Sequence, residues 1–203
     1  MAENVLIYGK SGSGKSRSLI NFKEDEITLI NVVGKRLPFP KKFKYMGTVD
    51  DVNKIKQTLS KMPTKVAVID DATYILINAF MRNHGKGDQF RMYNEIADSF
   101  WGLLDFAKTQ LPEDVIVYYI MHEDTNDFGE VKIRTIGKLL DQKVCIEGLV
   151  TVALRCLVKN GQHIFVTQSD GADVTKSPEG MFEMEIPNDL KFVDSTIRKY
   201  WGL

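Results

Sequence analysis

Eight residues near the amino terminus, GKSGSGKS at positions 9–16, have the types and spacing that bind phosphate. They fit the pattern G-x-x-x-x-G-K-S/T, in which glycines let backbone N–H groups turn toward phosphate oxygens. An apolar stretch precedes the loop and a helical stretch follows it, so the positive end of a helix dipole is expected to face the same anion. We therefore predict a phosphate loop with these binding residues: Gly9, Ser11, Gly12, Ser13, Gly14, Lys15, Ser16 and Arg17.

Two side chains of the phosphate loop have specific predicted roles. Lys15 is expected to reach the β- and γ-phosphates of a nucleotide, and Ser16 to bind Mg²⁺ through its hydroxyl. The alternative is a Gly/Ser turn that matches by chance, which happens in roughly one chain of this size in a hundred. The flanking strand and helix favour the nucleotide. The predicted ligands are ATP and Mg²⁺, and the motif does not separate ATP from GTP.

A pair of carboxylates follows the apolar stretch KVAVI, at Asp70 and Asp71. In open α/β sheets, ligands bind at the carboxyl ends of the strands. Asp70 is therefore predicted to hold Mg²⁺ through a water molecule. Asp71 is predicted either to orient the attacking water or to cap the helix that begins at ATYILINAF, residues 72–80. The sequence leaves both roles of Asp71 open.

A third strand, DVIVYYIMH at positions 114–122, ends in a polar group. We predict that His122 senses the γ-phosphate from the strand beside the phosphate loop. The alternative is a surface histidine at a strand end. His122 has no cysteine or histidine partner at metal-ligand spacing, so no zinc site is predicted.

The composition of the 203 residues indicates a globular protein of one domain. Hydrophobic residues make up 43% and charged residues 27%, and the formal net charge is zero. Zero net charge argues against a strong overall field for nucleic acid but allows local basic patches. Cys145 and Cys156 are too few for a disulfide framework, and both are expected in the core. With no signal peptide and no apolar stretch near 18 residues, the protein is predicted to be cytoplasmic, without a membrane span.

Strand and helix patterns alternate along most of the chain. Continuous apolar strands between helices predict an α/β fold with a mainly parallel sheet that helices cover on both faces. The last third predicts a hairpin that turns at Asn160-Gly161 and a closing helix, hence an antiparallel C-terminal extension. The predicted strands are 4–8, 27–33, 65–70 and 114–122, and the predicted helices are 15–22, 49–60 with Asp50 as cap, 89–110, and 188–202 with Asn188 or Asp189 as cap.

With these motifs placed, the chain resembles RecA-type P-loop ATPases, and more closely the short phage ATP-binding proteins of single-strand annealing. The resemblance covers nearly the whole chain. It rests on GKSGSGKS, VAVIDD, the long helix leading into VIVYYIMHED, TIGKLLDQKV and VTKSPEGMFEMEIPND. It implies a RecA-like domain over residues 1–203 that hydrolyses ATP in phage DNA recombination or repair. It also implies binding of single-stranded DNA, annealing or loading as a ring or filament, and contact with other phage recombination proteins.

The resemblance implies that one lysine acts on the nucleotide of a neighbouring subunit. The chain also departs from the related sequences at two places. Lys176 corresponds to the basic residue that reaches the neighbouring subunit's nucleotide, with a solvated loop lysine as the alternative. Related segments often carry an arginine two places later, where this chain has Pro178. Related enzymes also carry a glutamate as general base after the second strand, where this chain reads ITLINVVGK. Either Asp71 or Glu123 substitutes for it, or hydrolysis is slow.

Two glycine-containing loops combine cations with aromatic residues, a combination that suits single strands. They are MRNHGKGDQFR at 81–91 and NDFGEVKIRTIGKLLDQK at 126–143. The alternative is a pair of solvated loops of mixed charge, since Asp88, Asp127, Glu130 and Asp141 are interspersed. The predicted nucleic-acid contacts are Arg82, Lys86, Lys132, Arg134 and Lys138.

Two other functions stay open on the sequence alone. A small-molecule P-loop kinase is compatible with the size and the phosphate loop, although no arginine-rich lid is present. A nucleotide-dependent assembly module with little turnover is compatible with the missing glutamate. Turnover that depends on an added acceptor would indicate the kinase, and oligomers without turnover would indicate the assembly module.

Overall fold

The chain folds around one mixed β-sheet with helices on both faces. The computed structural model describes residues 1–126 and 128–203, and the side chains of all of these except residues 141 and 142. The strands are β1 (Glu3–Gly9), β2 (Ile27–Asn31), β3 (Tyr45–Gly47), β4 (Val66–Asp70), β5 (Ile116–Thr125), β6 (Val131–Ile133), β7 (Val152–Lys159), β8 (Gln162–Val166) and β9 (Glu185–Pro187). The helices are α1 (Val52–Lys61), α2 (Thr73–Asn83), α3 (Gln89–Gln110) and α4 (Leu190–Trp201), with shorter helical turns at Ser16–Asn21, Leu139–Val144 and Ile146–Leu149.

The order of the strands places β1 inside the sheet. Among the described residues the order is β3-β2-β4-β5-β1-β7-β8-β9, with β6 paired to β5 beside this path. Neighbours from β3 to β7 are parallel, whereas β7, β8 and β9 are antiparallel. This confirms the predicted α/β class, the mainly parallel sheet and the antiparallel extension. The chain leaves β1 toward β2 on one side and later reaches β7 on the other, which is where such sheets bind ligands.

Both faces of the sheet are covered because its central strands are apolar on both sides. Consecutive residues of a strand point to opposite faces. Tyr119 packs among buried residues of α1, α2 and α3 on one face. Tyr118 packs toward α4 on the other, where its hydroxyl donates to Asp194 at 3.0 Å. Strands buried on both faces read as continuous apolar runs, which is why the sequence predicted them.

Helix caps differ in detail from the predictions. The cap of α1 is Asp51, which accepts from the Lys54 N–H at 2.9 Å. Asp50, the predicted cap, instead pairs with Arg82 at 2.7 Å. The cap of α4 is Asp189, one of the two predicted residues. The hairpin prediction is confirmed, with β7 and β8 joined at Asn160-Gly161 and positive φ at both residues.

The helix predicted at 15–22 is shorter than expected. It is a 3-10 turn over Ser16–Asn21. The Ser18 hydroxyl donates to the Lys15 carbonyl at 2.6 Å, which competes with regular α-helical bonding. A turn of this length contributes a weaker dipole at its amino terminus than a full α-helix.

The two cysteines have different surroundings. Cys156 is buried in β7, as predicted, but Cys145 is only half-buried, between two helical turns at φ 53°. Both are free thiols. In the described part of the chain, none of the helices combines the length and the apolar character that crossing a bilayer requires.

Long helix α3 offers a test of the packing between helices and sheet. Phe100 is fully buried, whereas its neighbour Trp101 is 44% exposed. We expect Phe100→Ala to lower the free energy of unfolding by about 3–5 kcal/mol, because it leaves a cavity in the core. Trp101→Ala should cost about 1 kcal/mol or less. Urea unfolding of both variants checks this, and equal losses would contradict the packing described.

Candidate nucleotide-binding site

The phosphate loop follows β1 at the carboxyl edge of the parallel strands. The register of β1 and β5 sets Gly9 beside His122, so β5 is the neighbouring strand that the sequence analysis expected. A cleft of about 320 Å³ opens at this edge. Its lining is Ser11, Gly12, Gly14, Lys15, Ser16, Arg17, Lys35, Arg36, Pro38, Asp70, Asp71, His122 and His163.

The backbone of the phosphate loop uses its glycines for conformations that other residues avoid. Gly12 has φ 80° and Gly14 has φ 103°. At Gly12 a Cβ would meet open space, but at Gly14 it would lie 2.7 Å from both His163 Nδ1 and Asn188 Nδ2. Gly14 is therefore required for its backbone angle and for the close approach of the C-terminal extension.

Lys15 lies within the loop that it was predicted to serve. Its ammonium donates to the carbonyl of Gly9 at 2.8 Å and to that of Lys10 at 2.7 Å. Burial lowers the pKa of Lys15, while Cys156 and the nearby carboxylates act in the opposite direction. Two neutral carbonyls do not balance the charge of a buried ammonium, so a phosphate oxygen would be a favourable further partner.

Ser16 and Asp70, the two predicted Mg²⁺ ligands, are in contact. The Ser16 hydroxyl donates to Asp70 Oδ1 at 2.9 Å. Neighbouring oxygens around octahedral Mg²⁺ are also about 2.9 Å apart, since each lies about 2.0–2.1 Å from the metal, so this spacing suits direct binding by Asp70 rather than the predicted contact through water. Burial, together with the charge of Asp71, raises the pKa of Asp70 to about 6. A nearby cation would stabilise the charged form of this carboxyl, so the donor pair fits Mg²⁺.

Asp71 has an unusual backbone and two side-chain partners. Its φ is 61°, in the left-handed region. Its carboxylate accepts from Lys35 Nζ at 2.8 Å and lies 3.2 Å from His122 Nε2. Burial alone would raise the pKa of Asp71, but the His122 and Lys35 bonds outweigh it and hold the pKa at about 2. The cap alternative is wrong, because α2 has no side-chain cap.

His122 faces the cleft, as the sequence analysis expected, whereas Glu123 is engaged elsewhere. The His122 ring meets the ring of Tyr74 edge-on, with centroids 5.8 Å apart. The Glu123 carboxylate is buried and accepts two hydrogen bonds from Arg155, at 2.9 and 3.2 Å. Of the two acids considered as general base, Asp71 lines the cleft and Glu123 is held in this ion pair.

Sequence reasoning missed the residues that support the phosphate loop from behind. His163 Nδ1 lies 2.6 Å from the Ser13 carbonyl, and the Cys156 thiol donates to the same oxygen at 3.1 Å. The Asn188 amide donates to the Gly14 carbonyl at 3.2 Å. No local motif marks these residues, since each lies more than 140 positions from the loop residue that it contacts.

The remaining predicted residues lie outside the cleft. Lys176 is half-buried, and its backbone N–H and carbonyl each bond to Ala153 at 2.9 Å. Arg82 pairs with Asp50, and the Lys86 ammonium bonds to the Arg82 carbonyl.

The second predicted loop follows β5, the strand that carries His122. Lys132 lies on β6, and the Arg134 N–H donates to the His122 carbonyl at 2.8 Å. Lys138 lines a second, larger cleft. Asp127, one of the interspersed acids, lies outside the described residues, and the side chain of Asp141 is not described.

No protein-family model matches the chain, and a search of the curated proteins finds no match. The resemblance to RecA-type ATPases therefore stays a prediction, based on the motifs and on the site geometry.

The two loop glycines provide a matched test of the support from the C-terminal extension. Alanine at either position adopts a left-handed backbone at a cost of about 1–2 kcal/mol. We expect Gly14→Ala to cost about 1–3 kcal/mol more in unfolding free energy than Gly12→Ala, because its methyl group meets His163 and Asn188.

A double-mutant cycle tests the same contact from the other side. His163→Ala should be less destabilising in the Gly14→Ala background than alone, since it makes room for the methyl group. Additive effects in chemical unfolding would contradict a direct contact between residues 14 and 163.

Proposed function

We propose that the protein is a P-loop ATPase of the RecA-like type that acts in DNA recombination or repair. The observation that carries the proposal is the Ser16–Asp70 hydrogen bond beside the Lys15 ammonium, at the edge where β1, β4 and β5 end. A hydroxyl and a carboxylate at Mg²⁺ spacing, next to a glycine-rich loop, suit a nucleoside triphosphate with its metal.

In the proposed hydrolysis, the residues of the cleft have separate roles. The loop backbone and Lys15 hold the phosphates, and Ser16 and Asp70 hold Mg²⁺. The bound metal supplies positive charge that stabilises the phosphates during transfer. The water oxygen bonds to the γ-phosphorus as the bond to the bridging oxygen breaks, and that electron pair leaves with ADP. The proton that the water loses passes to an oxygen of the phosphate that is released. Asp71 accepts a hydrogen bond from the water and orients it.

The environment of Asp71 supports slow turnover. While Lys35 and His122 are bonded to it, Asp71 has a pKa of about 2 and is a weak base at neutral pH. It orients water better than it removes a proton. With Glu123 bound to Arg155, this favours an ATPase of low turnover and keeps a nucleotide-dependent assembly module as the second candidate function. In either case Lys176 is proposed to act on the nucleotide of a neighbouring copy in a ring or filament.

A second cleft of about 740 Å³ supports binding of single-stranded DNA. It lies between the two loops that the sequence analysis selected, and Lys138 and Lys143 are in its lining. Phe90, also in the lining, is 75% exposed, whereas the Phe80 ring stacks with the rings of Tyr93 and His84. Aromatic faces take unstacked bases and lysines take phosphates, a combination that single strands use.

The first experiment compares ATP hydrolysis by the wild type and Lys15→Ala, each with and without single-stranded DNA. We expect Lys15→Ala to lose at least about 100-fold of the turnover, because it removes a charge from the phosphates. Lys23→Ala, an exposed lysine outside the cleft, is the control. DNA stimulation in the wild type that disappears in Lys15→Ala would support the full proposal. Turnover that Lys15→Ala leaves unchanged would refute the phosphate site.

The DNA cleft is tested by binding of a labelled oligo-dT. Phe90→Ala should weaken binding about 10-fold or more, because one stacked base is worth about 1–3 kcal/mol. Lys138→Ala should lower the slope of affinity against salt by about 0.7, as expected for one lost phosphate contact. Phe192→Ala, an exposed phenylalanine on α4, is the control. If the wild type ignores the oligonucleotide with and without ATP, the DNA part of the proposal fails.

A further inference from the structure

Lys35 is a cationic side chain in the lining of the nucleotide cleft. It belongs neither to the phosphate loop nor to the Asp70–Asp71 pair. It lies in the segment after β2, and it lines the same cleft as Lys15 and Ser16. Its ammonium donates to Asp71 Oδ2 at 2.8 Å and lies 5.3 Å from the centroid of the Tyr74 ring. A short series of contacts therefore leads from the Ser16–Asp70 pair through Asp71 to this ammonium.

The backbone that carries Lys35 is fixed to the sheet. Asn31, the last residue of β2, is buried and pairs in register with Asp70. Its side chain closes a turn, donating to the Lys35 carbonyl at 2.6 Å and accepting from the Gly34 N–H at 2.9 Å. The turn sets the Lys35 backbone beside the metal-binding carboxylate. Any movement of the ammonium is then a movement of the flexible side chain alone.

The side chain of Lys35 is free to change partner. It is 57% exposed, while the Asp71 side chain is only 11% exposed. Because the ammonium of this pair is largely solvated, its net attraction to Asp71 is weakened. A triphosphate concentrates more negative charge than one carboxylate, and its hydrogen bonds to an ammonium are charge-assisted. A phosphate placed within reach would therefore compete with Asp71 for Lys35.

The charge of the cleft fits a triphosphate better than a diphosphate. Its described lining has four cationic side chains, Lys15, Arg17, Lys35 and Arg36, and two carboxylates, Asp70 and Asp71. The cleft is therefore positive even with both acids ionised. Lys15 and Ser16 belong to the phosphate loop, whereas Lys35 is linked to them through Asp70 and Asp71. A triphosphate held by the loop would have one more phosphate than a diphosphate with which to reach Lys35.

We propose that Lys35 recognises the terminal phosphate of a nucleoside triphosphate, leaving Asp71 for that phosphate when the triphosphate binds. The inference rests on the proposed function, because it assumes a nucleotide in the cleft. The exchange also frees one oxygen of Asp71, which is the acid that orients water. Asp71 is thus paired with Lys35 when a diphosphate is bound and available to water when a triphosphate is bound.

Calorimetric titration with ADP and with a non-hydrolysable β,γ-imido ATP analogue, both with Mg²⁺, tests the exchange. Lys35→Ala should weaken the analogue about 10- to 100-fold, the effect of one charge-assisted hydrogen bond, and change ADP affinity less than about twofold. Lys35→Gln, which keeps most of the side-chain length, should behave alike. Lys65→Ala is the control, because Lys65 forms a similar exposed pair with Asp114 outside the cleft, at 2.8 Å and 59% exposure.

Asp71→Asn should change the affinity for the analogue in the opposite direction, which provides a second test. Without its competitor, Lys35 should hold the analogue more tightly, and this gain should disappear in the Lys35→Ala background. Equal weakening of ADP and analogue by Lys35→Ala, or an Asp71→Asn gain that survives without Lys35, would overturn the inference while leaving nucleotide binding intact. Absence of binding to either nucleotide in the wild type would instead refute the proposed function.

Discussion

Parallel pairing of β1 with both β5 and β7 is the constraint on which the site depends. Parallel neighbours need crossover connections, so the carboxyl ends of these strands must meet at one edge of the sheet. β4 is apolar from Val66 to Ile69 and ends at Asp70, and β5 is apolar from Ile116 to Met121 and polar from His122 onward. Burial of these strands and of β4, which pairs with β5, therefore places the phosphate loop, the acidic pair and His122 together, and the Ser16–Asp70 and His122–Asp71 contacts form between groups already brought close. The hydrophobic effect builds the scaffold, and the chemistry comes from the residues left at its rim.

The charged side chains at this rim have different electrostatic environments, since Lys15 and Asp70 bond to neutral groups whereas Asp71 bonds to a cation. Lys15 is buried among carbonyls, and Asp70 is a buried carboxylate with a raised pKa, so each gains from an incoming group of opposite charge. Asp71 already has cationic and imidazole partners and a depressed pKa. The protein thus keeps one acid ready for a cation and the other satisfied by Lys35. This division of roles follows from neighbours only a few ångströms apart.

The sequence predicted what is local and left out what is distant. The parallel strands β1, β2, β4 and β5, the phosphate loop, the hairpin at Asn160-Gly161 and helix α3 all follow from patterns within about twenty residues, although β2 ends two residues earlier and β5 three residues later than predicted. The support of the loop by His163 and Asn188 and the engagement of Glu123 by Arg155 depend on strand order, which no short pattern carries. No sequence pattern indicates the role of Lys35, because its partner Asp71 lies 36 residues away, after a different strand. The choice between Asp50 and Asp51 as cap was decided by Arg82, a residue of α2.

The contacts behind the phosphate loop also bear on when the site is completed during synthesis. The loop occupies positions 9–16, but the carbonyls of Ser13 and Gly14 are anchored by residues 156, 163 and 188. A ribosome releases those anchors only after almost all of the sheet has emerged. Until then the loop has its glycines and lysine but lacks the groups that fix its shape. The loop therefore reaches the shape described here only after these three residues of the C-terminal extension have folded against it.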